Sequence, residues 1–416
     1  MHLRDLNKSQ DEFEMEILAI LAGSSSHHRP NDRYDFQEFF FLASDFGRAI
    51  FTQRAGFKGA TFTQRAGFRG ATFTQRADFS GATFTQRADF RGATFTQRAN
   101  FREAMFFREA DFLAATFTRE ADFSEAMFTQ RAGFFGATFH NEAFFDDTVF
   151  GPTVNVSPKG TENLHIANFR DVRFLKPELV RFLRTNGQAA EGLRIRFLNC
   201  HVGGVQFDAV RWHRYDGRMV LQDELDITGQ MEGAPSYEEA AIAYRRLIIN
   251  FEKARAYDLV EECTIGEFEM KRRDPSRFLF VGLLAPLYKR FPLLRRWIGE
   301  QVSVVGIYRL ASVYGTSYYR ALSVLGFLLI GFGVLFSTVV DIKPVNVNAI
   351  SICGQSSARE ALCAGLTHAV EVAALQKDLL YVPASSSGRM TEVLEQVLVA
   401  GQVALLLFAL RRRFRR

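Results

Sequence analysis

The chain has 416 residues, 47% of them hydrophobic and 23% charged, with a formal net charge of +5. That length points to two or three domains, the balance excludes a disordered tail or an all-membrane protein, and so mild a charge gives no reason to expect a nucleic-acid partner. Four scattered Cys exclude a disulfide-framed fold and a zinc cluster, while 43 Phe against 10 Pro, with no Pro between Pro30 and Pro152, mark an unusual stretch.

The first element, Asp11 to Ala22, has the apolar spacing of an amphipathic helix, and a Ser/His/Pro linker (Ser24 to Pro30) follows it. The helix would cover an open end of what comes next. Its apolar run is short and follows acids, so it does not read as a signal peptide.

From Phe51 the sequence runs FTQRAGFKGAT, FTQRAGFRGAT, FTQRADFSGAT, FTQRADFRGAT, then drifts to FTQRAGFFGAT. The period is eleven, made of a five-residue and a six-residue step. Phe57, Phe62, Phe68, Phe73, Phe79, Phe84, Phe90 and Phe95 carry it, with Ala two positions before nearly every Phe. Phe36, Phe41 and Phe46 lead in at steps of five. Leu164, Phe169 and Phe174 resume the pattern after the loop Gly151 to Gly160. Phe197, Val202, Phe207 and Trp212 end it, after an insertion (Pro177 to Glu191) that reads as one short helix.

A helical supercoil also uses an eleven-residue period. On a helix, however, successive Phe would fall about 140° apart and form no stripe. Gly and Thr recur in every early unit and weaken a helix further. Strands fit better. Ala at i−2 and Phe at i share one face of an extended segment, the residues beyond turn the chain, and coils stacked at about 4.8 Å satisfy each other's backbone. The sixth residue of the longer step must bulge at a corner.

The units Ala77-Asp78-Phe79-Ser80-Gly81, Ala88-Asp89-Phe90-Arg91-Gly92, Ala99-Asn100-Phe101 and Ala121-Asp122-Phe123-Ser124 resemble the A(D/N)(L/F)XX unit of pentapeptide-repeat proteins. The resemblance implies a right-handed, four-sided parallel β-helix, an all-β quadrilateral solenoid. Arg54, Arg65, Arg76, Arg87 and Arg98 recur once per unit, and identical residues two units apart should stack. They form either a solvated face offset by the acids that enter later or a basic strip for an acidic or lipid partner. Some members of that family imitate DNA, which needs an acidic rod. This rod is not acidic, so DNA mimicry is not expected.

After Trp212 the period becomes helical. Ser236-Tyr237-Glu238-Glu239 is a capping box opening one helix, and Asp258 to Arg273 gives a second, together an α-helical hairpin. Cys263 inside it reads as a buried small hydrophobe. Phe278 to Trp297 mixes an apolar run with Lys289, Arg290, Arg295 and Arg296 and reads as an interfacial segment. Two transmembrane helices are expected at 321–340, which is free of charge, and at 391–410, which Glu395, Gln396 and Gln402 interrupt but which ends in Arg411-Arg412-Arg413-Phe414-Arg415-Arg416. The loop between them shows no excess of Lys or Arg, so the positive-inside rule places both termini and the solenoid in the cytoplasm of a bacterial inner-membrane, multi-pass protein. Cys353 and Cys363 then face a compartment where a disulfide can form.

The C-terminal half resembles bacterial pentapeptide-repeat proteins that end in a two-helix, ion-channel-like domain. Tyr244-Arg245-Arg246-Leu247, Asn250-Phe251-Glu252 and Glu267-Phe268-Glu269-Met270 resemble their intervening helical segment. The resemblance places Ala361 to Gln376 where a channel keeps its pore helix, with Thr367, His368, Glu371 and Gln376 as the residues that would line a pore. The competing reading is a helix lying on the membrane surface. Ala374-Leu375-Gln376-Lys377-Asp378 has no Gly and no filter-like run, so potassium selectivity does not carry over. The domains expected are 1–33 (helix and linker), 34–212 (β-helix), 213–300 (helical linker with the interfacial segment) and 301–416 (membrane domain). No Walker loop, HExxH, GxSxG or CxxC pair occurs, and the His are scattered. We expect no enzyme, no cofactor and no metal. The expected partners are a lipid bilayer, an unidentified cytoplasmic protein and further copies of the chain, a tetramer if it is channel-like. Two readings stand: a membrane-anchored scaffold, or a channel-like protein regulated by its repeats.

Overall fold

The computed structural model describes residues 33–151 except 43, 166–277 except 188, 190 and 191, 303–345, 358–376 and 379–414. The helix expected at 11–22, its linker, the loop beyond Gly151 with Leu164, the segment 278–297 and Cys353 lie outside these. The chain divides into two compact units, Met1–Met270 and Lys271–Arg416.

In the first unit four sheets of short parallel strands wrap one core, and one antiparallel pair, Arg214–Tyr215 with Arg218–Met219, follows them. One sheet takes Arg33–Asp35, Arg54–Gly56, Ala77–Asp78, Ala99–Asn100, Ala121–Asp122, Ala143–Phe144 and Val180–Arg181. The next begins Phe40–Phe41 and Thr61–Phe62, the third Ser44–Asp45 and Ala66–Gly67, the fourth Ile50–Phe51 and Thr72–Phe73. Ala77 pairs with Ala99 and Phe62 with Phe84, so one coil consumes two eleven-residue units. The chain is a four-sided parallel β-solenoid.

That register turns a sequence repeat into columns of rings. Parallel strands sit about 4.8 Å apart, so identical residues one coil apart must stack. Phe62 and Phe84 do so at 4.7 Å and 2°, Phe68 and Phe90 at 4.8 Å, Phe79 and Phe101 at 4.9 Å. Rings in different columns meet edge to face, as Phe79 and Phe90 do at 5.5 Å and 86°. The Ala two positions earlier, such as Ala66, Ala77 and Ala88, are also fully buried and leave room for the rings.

The two step lengths make two kinds of corner. In the five-residue step a tight turn is closed by Ala60 N donating to Phe57 O at 3.0 Å, and its third residue lies in the left-handed region. Gly59, Gly70, Gly81 and Gly92 fill that position at φ 63–67°, and Glu103, Ala114 and Glu125 take it over at 54–60°. In the six-residue step the extra residue sits at a wider corner, where Thr85 Oγ1 donates to Phe62 O (3.1 Å) and Thr63 O (2.8 Å) of the preceding coil. Because a side chain at positive φ is strained, Ala114→Gly is expected to raise stability by about 0.5–1 kcal/mol. A urea midpoint that stays put or falls would show that alanine bears no strain there.

The expected helix over 177–191 is corrected. Pro177–Leu179 is a single 3-10 turn, and Val180–Arg181 is a strand that joins the first sheet and pairs with Ala143–Phe144. Phe182 stacks on Phe145 at 4.6 Å, so this is another side of the coil. Val180 and Phe182 repeat the apolar–x–Phe pattern with Val in the Ala place.

Three helices follow: α1 (Gln222–Thr228), α2 (Tyr237–Lys253) and α3 (Tyr257–Arg273). The capping box on Ser236 and Glu239 is formed at both of its hydrogen bonds. The helices share one apolar core with the last coils, where Phe251 meets Phe207 at 5.9 Å and Trp212 at 6.0 Å. Cys263 is fully buried there, and burial pushes its thiol well above the usual range, so it behaves as a small apolar residue. Helix α1, which no periodicity announced, lies over the end of the third sheet.

The second unit contains α4 (Val304–Ser312), α5 (Tyr318–Thr338), α6 (Ala358–Ala373) and α7 (Ser386–Arg413). Ile342–Pro344 pairs antiparallel with Tyr381–Pro383. Helices α5 and α6 approach so closely at Gly333 and Gly365 that a Cβ on Gly365 would fall 2.2 Å from Gly333 O. Helices α5 and α7 are each long and apolar enough to cross a bilayer.

Candidate functional site

Two regions carry polar chemistry: the outer face of the solenoid, and a set of polar side chains among α5, α6 and α7.

On the solenoid, the residue before each inward Phe points out. Where it is Asp or Asn, its side chain accepts the backbone N–H two residues on: Asp122 from Ser124 (3.0 Å), Asp111 from Leu113 (3.1 Å), Asn100 from Arg102 (3.1 Å). These are Asx turns, and they explain Asp and Asn at that place in the unit. The recurring Arg then cover the acids. Arg65 reaches Asp89 at 2.7 Å, Arg87 reaches Asp111 at 2.9 Å and Arg98 reaches Asp122 at 3.2 Å, each in the next coil. Arg76 pairs with Asp78 at 3.1 Å, and Arg54 lies 3.7 Å from the same carboxylate. The Arg column is therefore charge-compensated along most of its length.

Asp89 shows the electrostatics most sharply. It is 1% exposed, which raises its pKa, but hydrogen bonds from Arg91 (2.7 Å) and Arg65 (2.7 Å) outweigh burial and hold it at about 2. A carboxyl depressed on folding contributes stability above its unfolded pKa of about 4 and loses it as pH falls toward 2. The wild-type chain is therefore expected to unfold at higher urea than Asp89→Asn at pH 6, the gap closing between about pH 4 and pH 2. A gap that is the same at every pH would refute the assignment.

Near the start of the solenoid Gly67 interrupts the outward Asp column. This leaves a notch of about 510 Å³ lined by Ser44, Asp45, Arg48, Arg65, Arg69 and Asp89. Arg48 and Arg69 make no ion pair among the described residues. Further along, Phe107, Leu113 and Phe135 stand exposed on an otherwise polar surface.

In the second unit, Thr367, Glu371 and Gln376 come together along one open groove of about 420 Å³, with Leu366, Val370 and Ala374. His368 does not join them. It faces the helix interior, fully buried, edge-on to Phe336 at 4.6 Å, with Nε2 3.0 Å from Glu392 Oε1. Burial pushes the imidazole below its usual range. Glu371 Oε2 accepts from Leu380 N at 3.0 Å and so ties the turn after α6 to the helix. Cys363, on α6, is disulfide-bonded.

Sequence reasoning missed Glu392, Glu395 and Gln402 as functional candidates. Glu395 and Gln402 were visible as interruptions of the last apolar run, but that reads only as a weaker span. Gln402 Nε2 donates to Ala311 O (3.0 Å) and Ala321 O (2.8 Å), joining α7 to the end of α4 and the start of α5. Among the described residues no group of three or more His, Cys, Asp or Glu could hold a metal ion.

The family model described as pentapeptide repeats (9 copies) matches residues 36–83, 46–94 and 68–116. No curated protein and no solved structure matches the chain. The chain thus carries pentapeptide repeats folded as a β-solenoid scaffold, followed by helices.

Proposed function

We propose that the chain is a membrane-anchored scaffold, without catalytic activity, that presents a rigid right-handed β-helix for protein or lipid interaction at the cytoplasmic face of a bacterial inner membrane. The observation that carries this reading is that α5 and α7 bury little of themselves: only 22% of the apolar window of each is buried, far less than in the core helix of a water-soluble unit. The arginines that close α7 support, by the positive-inside rule, a reading with both termini on the cytoplasmic side. The notch at Arg48, Arg65 and Arg69 suits an acidic partner or an anionic headgroup, and Phe107, Leu113 and Phe135 offer an apolar contact for a protein. Flotation of the lysed-cell membranes tests the anchor: a chain recovered wholly in the aqueous fraction ends this reading. A pull-down with Met1 to Arg273 tests the scaffold.

A second reading, an ion-channel-like protein regulated by its repeats, is favoured by α6 packing along α5 and bringing Thr367, Glu371 and Gln376 to one groove. Four copies around an axis could close that groove into a pore, and a Cys353–Cys363 bridge would brace the segment before it. Ion flux from liposomes holding the full chain separates the readings, since a pure scaffold passes none.

A further inference from the structure

We propose that Glu395 is the centre of a site for a small monovalent cation, built with Glu392 and His368 where α7 packs on α5 and α6. Glu395 is fully buried, and neither of its carboxylate oxygens has a hydrogen-bond partner among the described residues. Glu392 lies one turn earlier on the same face of α7, its Oε1 held 3.0 Å from His368 Nε2.

Among the described residues no Lys or Arg forms an ion pair with Glu395. Helix α5 has no titratable side chain from Ala321 to Thr338. Helix α6 contributes His368, which stands 3.0 Å from Glu392, and Glu371, which is engaged by Leu380 N, with Arg359, Glu360 and the disulfide-bonded Cys363 in its first two turns. The paired strand contributes Tyr381, and α4 contributes Tyr308 and Arg309. On α7 itself the nearest base is Arg389, before Glu392. A carboxylate enclosed in apolar surroundings is retained only with a counter-charge. His368 Nε2 stands 3.0 Å from Glu392 Oε1 without a hydrogen bond between them, so the facing His368, Glu392 and Glu395 are all left with buried polar atoms that a mobile cation would complete. Two carboxyl groups fall short of the six or so oxygens a hard metal cation gathers, so the proton fits this donor set best. The inference rests on the proposed membrane anchoring of α7, which flotation tests separately, and holds under either the scaffold or the channel reading.

The test uses the full chain in phosphatidylcholine vesicles, collected after flotation and treated with dicyclohexylcarbodiimide, an apolar reagent that modifies a carboxyl while it carries a proton. The expected result, read by peptide mass in choline buffer, is an adduct on Glu395 whose yield falls about tenfold between pH 5 and pH 9. Glu395→Gln should float as the wild type does and lose the adduct, and Glu392→Gln should move the midpoint of the titration. Insensitivity to added sodium or potassium assigns the proton, and protection by either at fixed pH assigns an alkali ion to the same site. No adduct at Glu395 at any pH in floated chain, or a yield indifferent to pH and to both ions, overturns the proposal.

Discussion

Replacing Phe90 by alanine is expected to destabilise the solenoid by about 3–5 kcal/mol. Phe90 lies between Phe68 and Phe112 at 4.8 and 4.9 Å in its own column. It also meets the edges of Phe79 and Phe101 at 5.5 and 5.4 Å. Removing the ring opens a cavity that cannot collapse. The coils above and below are held in register by Phe68 N donating to Asp89 O and Phe90 N donating to Asp111 O, both at 2.7 Å. A solenoid is stabilised by nearest-neighbour contacts, so the damage should be local. Amide exchange should quicken in the coils that hold Phe68 and Phe112 and stay slow at the helical end. Gln86→Ala, at an exposed corner of the same coil, should change stability by less than about 0.5 kcal/mol. A cost for Phe90→Ala below about 1 kcal/mol in urea unfolding would mean the ring columns are not what holds the coils together.

Arg170→Ala should cost a similar 3–5 kcal/mol by another route. Its guanidinium donates to Asp223 Oδ1 and to Asp226 Oδ2, both at 2.9 Å, and so fastens α1 to the side of the solenoid. Asp223 is fully buried; burial pushes its carboxyl upward, and Arg170 opposes that most. Without Arg170, Asp223 keeps, among the described residues, the N–H of Phe197 at 2.9 Å, whereas Asp226 still has Arg196 at 2.8 Å. The penalty is therefore that of a stranded buried acid. Adding Asp223→Asn to Arg170→Ala should recover part of it, and that non-additivity distinguishes a charge effect from lost packing. Equal losses for the single and double variants would remove the argument.

What could be read along the chain and what could not divide by the sequence separation of the contacts. Phe62 meets Phe84 one coil later, and Ala77 meets Ala99 in the same way, so a pattern in the sequence is a pattern in space. The cap at Ser236 was legible for a related reason, because its two bonds span three residues. Helix α1 was not, since its sequence carries no stripe and its place depends on Arg170, more than fifty residues earlier. Of the four polar residues singled out on α6, three share a groove, while His368 turned out to face Glu392 on another helix. Local spacing puts residues on a helix face but does not say what that face meets.

The amino-acid order alone determined that the chain would coil in steps of five and six around stacked Phe, and that two long apolar helices would follow. Both properties are periodic, and periodicity survives translation along one dimension. Only the tertiary structure decided that Val180–Phe182 supplies another side of the coil, that the Arg column is neutralised by acids in the next coil, and that Glu395 is enclosed without a hydrogen-bond partner among the described residues. Each depends on which surfaces meet when distant segments pack, and burial, which sets the cost of every charge, exists only once they have.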